Sequence, residues 1–257
     1  MCIIAFQYKT NPQYELIVAA NRDEFYERPT KPAHLWPTTP AIFAGQDERL
    51  GGTWIGVGEN GRFVAITNYR NPKLDVLKPI SRGKIATDFL FSSDDARTTV
   101  EQLRRLKNEI GPYNVLLYDG VDFLHYNNVF DEMTIIEPGT HTLCNATMNT
   151  AWPKTVKLHE QFEATLQKPD WHDDELLDIL RDETIAKDNE LPSTGVPYEM
   201  EKALSAIFIK LPNYGTRSST IIKYHQTGAH FVEQTFENGE PTTKVEQHIN
   251  FKLKQKC

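Results

Sequence analysis

Two short apolar runs open the chain, CIIAFQY and YELIVAANRD, with the turn-forming TNPQ between them. β-rich runs on either side of an Asn-Pro turn predict a hairpin. The next stretch, ERPTKPAHLWPTTP, holds four prolines. Proline lacks the N–H that a helix interior or a central ladder needs, so this stretch reads as a long ordered loop. AIFAGQDERLGGTWIGVGENGRFVAITNYR alternates apolar runs with glycine-centred breaks, the pattern of antiparallel strands joined by tight turns. The period changes over residues 92–110. Serines and aspartates come first, Val100, Leu103 and Leu106 follow at helical spacing, and Gly111-Pro112 ends the run, which predicts a capped amphipathic helix. Residues 85–91 predict a shorter helix before it. YNVLLYDGVDFLHYNN returns to strands around an Asp119-Gly120 turn, and EPGTHTLCNAT reads as turn then strand. Residues 152–167, 173–181 and 198–209 read as helices. The acidic stretch 170–192 reads as a solvated helix or a mobile flap. TRSSTIIKYH, GAHFVEQTF and PTTKVEQHINFKL close the chain as three strands. Blocks of strands interleaved with helical pairs predict an α+β fold with layered packing. With no repeat and no linker, one domain over 1–257 is expected.

Charge and length narrow the function classes. The 257 residues suffice for a sizeable core. A formal net charge of −7 supplies no basic field for phosphates, so no nucleic-acid partner is expected, although one local anion pocket is compatible with it. The best apolar run, LIVAA at 16–20, is far below the roughly 20 residues of a spanning helix, so no stable membrane insertion is expected. The N-terminus lacks the basic region of a secretory signal, and Gln7, Lys9 and Asn11 interrupt its apolar stretch, which points to the cytoplasm. Cys2, Cys144 and Cys257 form no disulfide framework. Neither they nor the eight histidines show metal-ligand spacing along the chain, so no metal is expected. A phosphate loop and a Gly-x-Ser-x-Gly elbow are both missing from the sequence.

The candidate chemistry starts at Cys2. If Met1 is removed, Cys2 carries both a thiol and a free α-amine, a nucleophile and a base in one residue. NRDE at 21–24 is either a hydrophilic turn with a local salt bridge or, if the hairpin brings it beside Cys2, part of a site. There Arg22 would stabilise thiolate and Asp23 would orient the α-ammonium group. In GGTWIGV, paired glycines make a tight turn or let the backbone approach a ligand. Gly52, Thr53 and Trp54, with Asn21 and Glu24, are the candidate substrate contacts. Asn68, ending a strand, is an Asx-turn residue or an oxyanion donor. Cys144 reads as inert packing and Asn145 as a turn residue. Arg217 is an exposed edge charge or the partner of a carboxylate or anionic ligand. His141, His225 and His230 are satisfied residues or, in principle, haem ligands.

MCIIAF, AANRDEFYERPT, LGGTWIGV, AITNYR, CNATMNTAWPK and YGTRSSTII, in this order, resemble the NRDE family, that of transport and Golgi organisation protein 2 and its bacterial relatives. The matches run from Cys2 to about Thr220. The resemblance implies the N-terminal nucleophile hydrolase fold, a four-layer αββα sandwich. It extends loosely to penicillin V acylases, bile salt hydrolases and acyl-CoA:penicillin acyltransferases, whose nucleophile is an N-terminal cysteine. Carried over, it makes Cys2 the nucleophile, with Arg22 and Asp23 beside it and Asn68 in the oxyanion hole. Asn145 takes the place of the second asparagine and Arg217 that of the late arginine. The acylases separate their Arg and Asp by two residues, whereas Arg22 and Asp23 are adjacent and face opposite sides of a strand. Either the backbone bends at 21–24, or only one of the pair serves the site, with Glu24 a substitute for Asp23. The implied activity is hydrolysis or acyl transfer on a small-molecule amide or acyl thioester, with no cofactor required. The alternative is a non-catalytic haem or acyl-CoA/lipid binding and trafficking protein on the same fold.

Overall fold

The computed structural model describes residues 2–74 and 76–251. Met1, Cys257 and the end of the last predicted strand lie outside the described residues. The opening hairpin forms as its apolar runs dictate: β1 (Cys2–Tyr8) pairs antiparallel with β2 (Leu16–Phe25), Cys2 opposite Arg22. The proline-rich stretch is a loop only in part: residues 27–29 and 37–40 are turn and bend, and the middle is a strand. This is β3 (Thr30–Trp36), an edge strand whose register slips between Lys31 and His34, around Pro32. A missing N–H is tolerated at an edge and at a bulge, which is why Pro32, the one proline inside β3, does not prevent the strand. β4 (Ile42–Asp47), β5 (Ile55–Gly58) and β6 (Phe63–Asn68) continue as an antiparallel meander.

Helices α1 (Arg82–Phe91) and α2 (Ala96–Arg105) follow. Asp95 caps α2 by accepting from the Thr98 N–H at 2.6 Å. β7 (Tyr113–Tyr118) and β8 (Phe123–Asn127) pair across the turn at Asp119 and Gly120, where Gly120 takes φ 87°. An unpredicted edge strand, β9 (Glu132–Ile135), precedes β10 (Gly139–Leu143). α3 (Pro153–Leu166) and α4 (Asp173–Ile179) match their predicted helices, and the acidic region adds a short 3-10 turn at Asp188–Glu190. α5 (Tyr198–Ala203) stops well before residue 209. Residues 204–209 are apolar except for Ser205, whose hydroxyl is hydrogen-bonded, and they are buried as irregular chain with no polar face to put in water. β11 (Tyr214–His225), β12 (Gly228–Glu237) and β13 (Glu240–Asn250) are the last strands among the described residues.

The strands form two sheets. One has six strands in the order β10-β1-β2-β11-β12-β13, and the other seven in the order β3-β4-β5-β6-β7-β8-β9. Parity along β1 and β2 shows how they are used. Ile4, Phe6, Leu16 and Val18 face the second sheet, meeting Phe63, Leu116 and Phe123. Ile3, Ala5, Ile17 and Ala19 face outward and are covered by Leu158 and Phe162 of α3 and Leu176 of α4. On the far side, Ile85 and Phe89 of α1 and Val100 of α2 cover the seven-stranded sheet. The layers therefore run helix, sheet, sheet, helix, an α+β sandwich. Burial on both faces explains why the strands read as continuous apolar runs, and each buried large side chain contributes roughly 1.5–3 kcal/mol.

Candidate active site

The same parity positions the site. Cys2 and Arg22 are even-numbered and project between the sheets; Asn21 and Asp23 project toward the helical layer. β2 itself runs straight through NRDE, so the strand does not end there. The irregularity lies in its neighbour β11, where register slips between Thr216 and Ser218. Thr216 thereby sits opposite Asp23, and Ser218 opposite Arg22. Because Cys2 begins its strand, a cavity at the strand end reaches both faces. Its volume is about 390 Å³, and Cys2, Arg22, Asp23, Glu24, Thr53, Trp54 and Asn68 all line it. Adjacent Arg22 and Asp23 thus share one cavity without a bend in their own strand.

Arg22 is buried beneath Trp54, its guanidinium 4.1 Å from the ring centroid. It donates to Thr30 Oγ1 at 3.0 Å and lies 3.8 Å from Asp47 Oδ2. Asp47 also pairs with Arg28 and accepts from the N–H groups of Arg49 and Leu50 at 3.0 Å each. Burial pushes the Cys2 thiol above its ordinary value and the nearby Asp23 carboxylate adds to this, while the Arg22 charge works the other way. Burial likewise raises Asp23, opposed by Lys154, by the Thr216 hydroxyl donating at 2.8 Å, and by Arg70. Tyr214 Oη donates to the Asp23 carbonyl at 3.0 Å.

Asn68 ends β6 at the cavity wall. Asn145 does not line that cavity. Its Nδ2 donates to the Asn68 carbonyl at 3.0 Å, and its own carbonyl accepts from the Arg70 N–H at 2.7 Å. Thr67 Oγ1 donates to the Cys144 carbonyl at 2.6 Å and Asn114 Nδ2 to that of Ala146 at 2.9 Å. The 144–146 segment is thus stitched to the second sheet, which holds the end of β6 beside Cys2. Cys144 itself is buried.

Other candidates sit elsewhere. Arg217 is the extra residue of the β11 irregularity, and its Nη1 donates to the carbonyls of Phe25, Tyr26 and Arg28 at 3.0–3.2 Å. It lines a separate groove and clamps the turn after NRDE. Asn21 is buried, donating to the Leu180 and Ile207 carbonyls and accepting from Ser219 Oγ at 2.6 Å. Glu24 lines the Cys2 cavity and accepts from the Phe25 N–H at 2.9 Å. Gly52 packs against Gly83 at the start of α1: a Cβ there would lie 2.5 Å from the Gly83 carbonyl carbon. Thr53 bonds Gly83 and Ile55 through backbone and hydroxyl respectively. The Trp54 indole N–H has no partner among the described residues.

Two groups were missed in the sequence. Lys154 is buried, its Nζ has no hydrogen-bond partner among the described residues, and burial lowers its pKa against the opposing pull of Cys144, Asp23 and Cys2. It stands second in α3, where a cation opposes the helix dipole, and that anomaly was the available signal. Arg70 pairs with Glu201 at 2.7 Å, both buried, and stacks 4.9 Å from the Trp152 ring centroid. The cavity mouth carries the exposed apolar side chains Leu50, Val76 and Leu77 beside Lys78 and Arg82. Among the described residues no helix is long and apolar enough to cross a membrane.

The family model for Transport and Golgi organisation 2 matches residues 1–238. The chain is similar to the Transport and Golgi organization protein 2 homolog of Bos taurus, 31% identical over 264 residues that cover 94% of this chain and 95% of that protein. The Homo sapiens homolog is 32% identical over 243 residues, 86% of this chain and 88% of that protein. Among solved structures, the Caenorhabditis elegans N-acylethanolamine-hydrolyzing acid amidase ortholog superposes with a TM-score of 0.53 at 10% identity. That match covers 86% of this chain and 92% of the other. A mutant conjugated bile acid hydrolase from Clostridium perfringens gives 0.52 at 8% identity, over 97% and 92%. These structural likenesses establish the N-terminal nucleophile hydrolase type of sandwich and nothing about activity. By sequence and by fold together, the chain belongs to the Transport and Golgi organisation 2 family.

Proposed function

We propose that the chain is a cysteine N-terminal nucleophile hydrolase or acyltransferase acting on an amide or acyl thioester. The observation that carries this reading is Cys2 opening onto one cavity with Arg22, Asp23 and Asn68. Removal of Met1 places an α-amine on Cys2 itself. A thiol whose pKa is raised is a poor nucleophile until it loses its proton, and that amine is the nearest base. The amine takes the thiol proton, and the thiolate attacks the carbonyl carbon. Asn68 Nδ2 and a backbone N–H hold the resulting oxyanion. Collapse expels the amine or thiol leaving group, which receives the proton back. Water, or a second acceptor, then attacks the Cys2 thioester and releases the acyl group. Arg22 favours the thiolate, and Asp23 holds the α-ammonium form. The reaction requires no cofactor. The apolar rim of Leu50, Val76 and Leu77 suits an acyl chain, with Lys78 and Arg82 toward an anionic head.

The same amphipathic mouth also suits a carrier that performs no chemistry, holding haem or an acyl-CoA or other lipid. His141 bonds the Glu137 carbonyl and Asn149, His225 bonds Thr227, and His230 meets Asp173 and Glu246. None of these three lines the Cys2 cavity, so haem there would rely on Cys2 as its axial ligand. Single-turnover assays with acyl thioester and acyl amide probes separate the readings. The hydrolase loses turnover in Cys2→Ala with probe affinity retained, and slows about 10²–10³-fold in Asn68→Ala. Turnover unchanged in Cys2→Ala sinks the hydrolase reading.

A further inference from the structure

On the outer face of the six-stranded sheet, away from Cys2, the register aligns Lys223, His230 and His248 across β11, β12 and β13. Glu246 lies two residues from His248 on the same face. The His230 and His248 rings stack 4.3 Å apart at 18°. His230 Nε2 is 2.8 Å from Glu246 Oε1, and its Nδ1 is 3.3 Å from Asp173 Oδ2 at the start of α4. Asp173 is held in turn by Lys223 Nζ at 2.7 Å. One ligand atom from each of His230, Glu246 and His248 falls within 4.8 Å of the others.

We propose that His230, Glu246 and His248 form a binding site for a divalent transition-metal ion of the Zn²⁺ class. The arrangement around His230 is that of a metal ligand. One ring nitrogen faces a carboxylate fixed by its own ion pair, which sets the tautomer and turns the other nitrogen outward. With Nδ1–H donating to Asp173, Nε2 presents a lone pair to a carboxylate oxygen. That contact is attractive only if the ring takes a second proton or a cation joins the two. His248, stacked beside it, brings a third donor to the same point. Asp173 and Lys223 cancel, leaving Glu246 as the net charge, which a dication overcompensates rather than meets as repulsion. Two imidazoles and one carboxylate suit Zn²⁺ and its neighbours over Mg²⁺ or Ca²⁺. Bonds of about 2.0–2.2 Å place tetrahedral donors about 3.3–3.6 Å apart. The 2.8 Å contact is tighter than this and the 4.8 Å spread wider, and His248 and Glu246, both exposed, close the set by rotamer change. Read along the chain, the histidines show no ligand spacing; pairing of β12 with β13 creates it. A bound ion would clasp the edge strand β13 to β12.

The test titrates Zn²⁺ into the intact chain carrying Cys2→Ser, so that the Cys2 thiol does not compete, and reads heat, stoichiometry and thermal unfolding. One ion per chain is expected, with a rise in unfolding temperature. His248→Ala removes an exposed ligand without disturbing the core and abolishes both effects. Asp173→Asn weakens binding about 10–100-fold through His230. His225→Ala, a half-buried histidine outside the cluster, leaves binding unchanged. Equal binding by His248→Ala and the parent overturns the site, as does the absence of saturable binding. Zinc that sediments two chains together, one ion per pair, overturns it as a site within one chain.

Discussion

A single methyl group at Gly52 tests whether backbone contact between the GGTW turn and α1 sets the wall of the Cys2 cavity. The added Cβ of Gly52→Ala would meet Gly83 backbone atoms at 2.5, 2.7 and 2.9 Å, where ordinary contact begins at 3.4 Å. No flexible side chain is there to yield, so the two backbones must part by roughly 1 Å. Overpacking of this kind costs about 1–3 kcal/mol, and at about 2–4 °C per kcal/mol the unfolding temperature falls by about 2–12 °C. Gly83 and Thr53 both line the cavity, so the wall moves with them. A displacement of that size slows a positioned reaction by up to about 100-fold. Gly51→Ala is the control. Gly51 has φ +74° and nothing within 4 Å of its missing Cβ, so alanine there costs about 1–2 kcal/mol in backbone conformation and displaces nothing. The assay pairs thermal unfolding with the acylation rate of Cys2, mapped by peptide mass. Both variants should lose comparable stability, and only Gly52→Ala should slow Cys2. Equal rates in the two variants would show that the Gly52–Gly83 contact does not set the cavity wall.

Further outcomes follow from the buried charges. Glu201→Ala leaves Arg70 without its 2.7 Å carboxylate partner, and breaking a buried pair costs about 3–5 kcal/mol, measurable by urea unfolding. A loss under about 1 kcal/mol would show that the pair adds little to what the other contacts of Arg70 supply. Burial holds His125 down at about 4 from an ordinary 6.5. The unfolded chain therefore binds more protons between these values, and stability present at neutral pH is lost as pH falls through that window. At about 1.4 kcal/mol per pH unit the loss from this group is about 3 kcal/mol, and His125→Asn should flatten that part of the acid limb. Asp23 has the opposite sign. Its folded pKa is raised, so its contribution is full in acid and is lost as pH rises through the raised value. Asp23→Asn should remove this fall from the stability profile, and an unchanged profile would show that the group titrates normally.

The strands and most helices were legible because their cause is local. Two apolar runs around an Asn-Pro turn marked the β1–β2 hairpin, and the Asp95 cap marked α2. The proline-rich strand β3 was not legible, because proline is forbidden only where the N–H is needed, and edge position is a property of the finished sheet. The same limit applies to the site. Cys2 opposite Arg22 follows from hairpin register, but the Thr216 hydroxyl that holds Asp23 is set by an irregularity in β11, about 190 residues away in sequence. That irregularity also turns Arg217 into a clamp on the 25–28 carbonyls and away from the Cys2 cavity. Asn21 looked like part of a polar corner, yet its amide bonds Leu180 and Ile207, contacts only the tertiary fold creates. The Arg70–Glu201 pair was invisible for a simpler reason: burial of a charged side chain is not written in its neighbours in sequence.

The most direct test of the central claim is the intact mass of the purified protein, before and after reaction with an acyl thioester probe. A nucleophilic Cys2 gives a mass lacking Met1 and a single acyl adduct that maps to Cys2 and is absent in Cys2→Ala. Retention of Met1, or a Cys2 that stays unmodified while the probe binds, would contradict the claim.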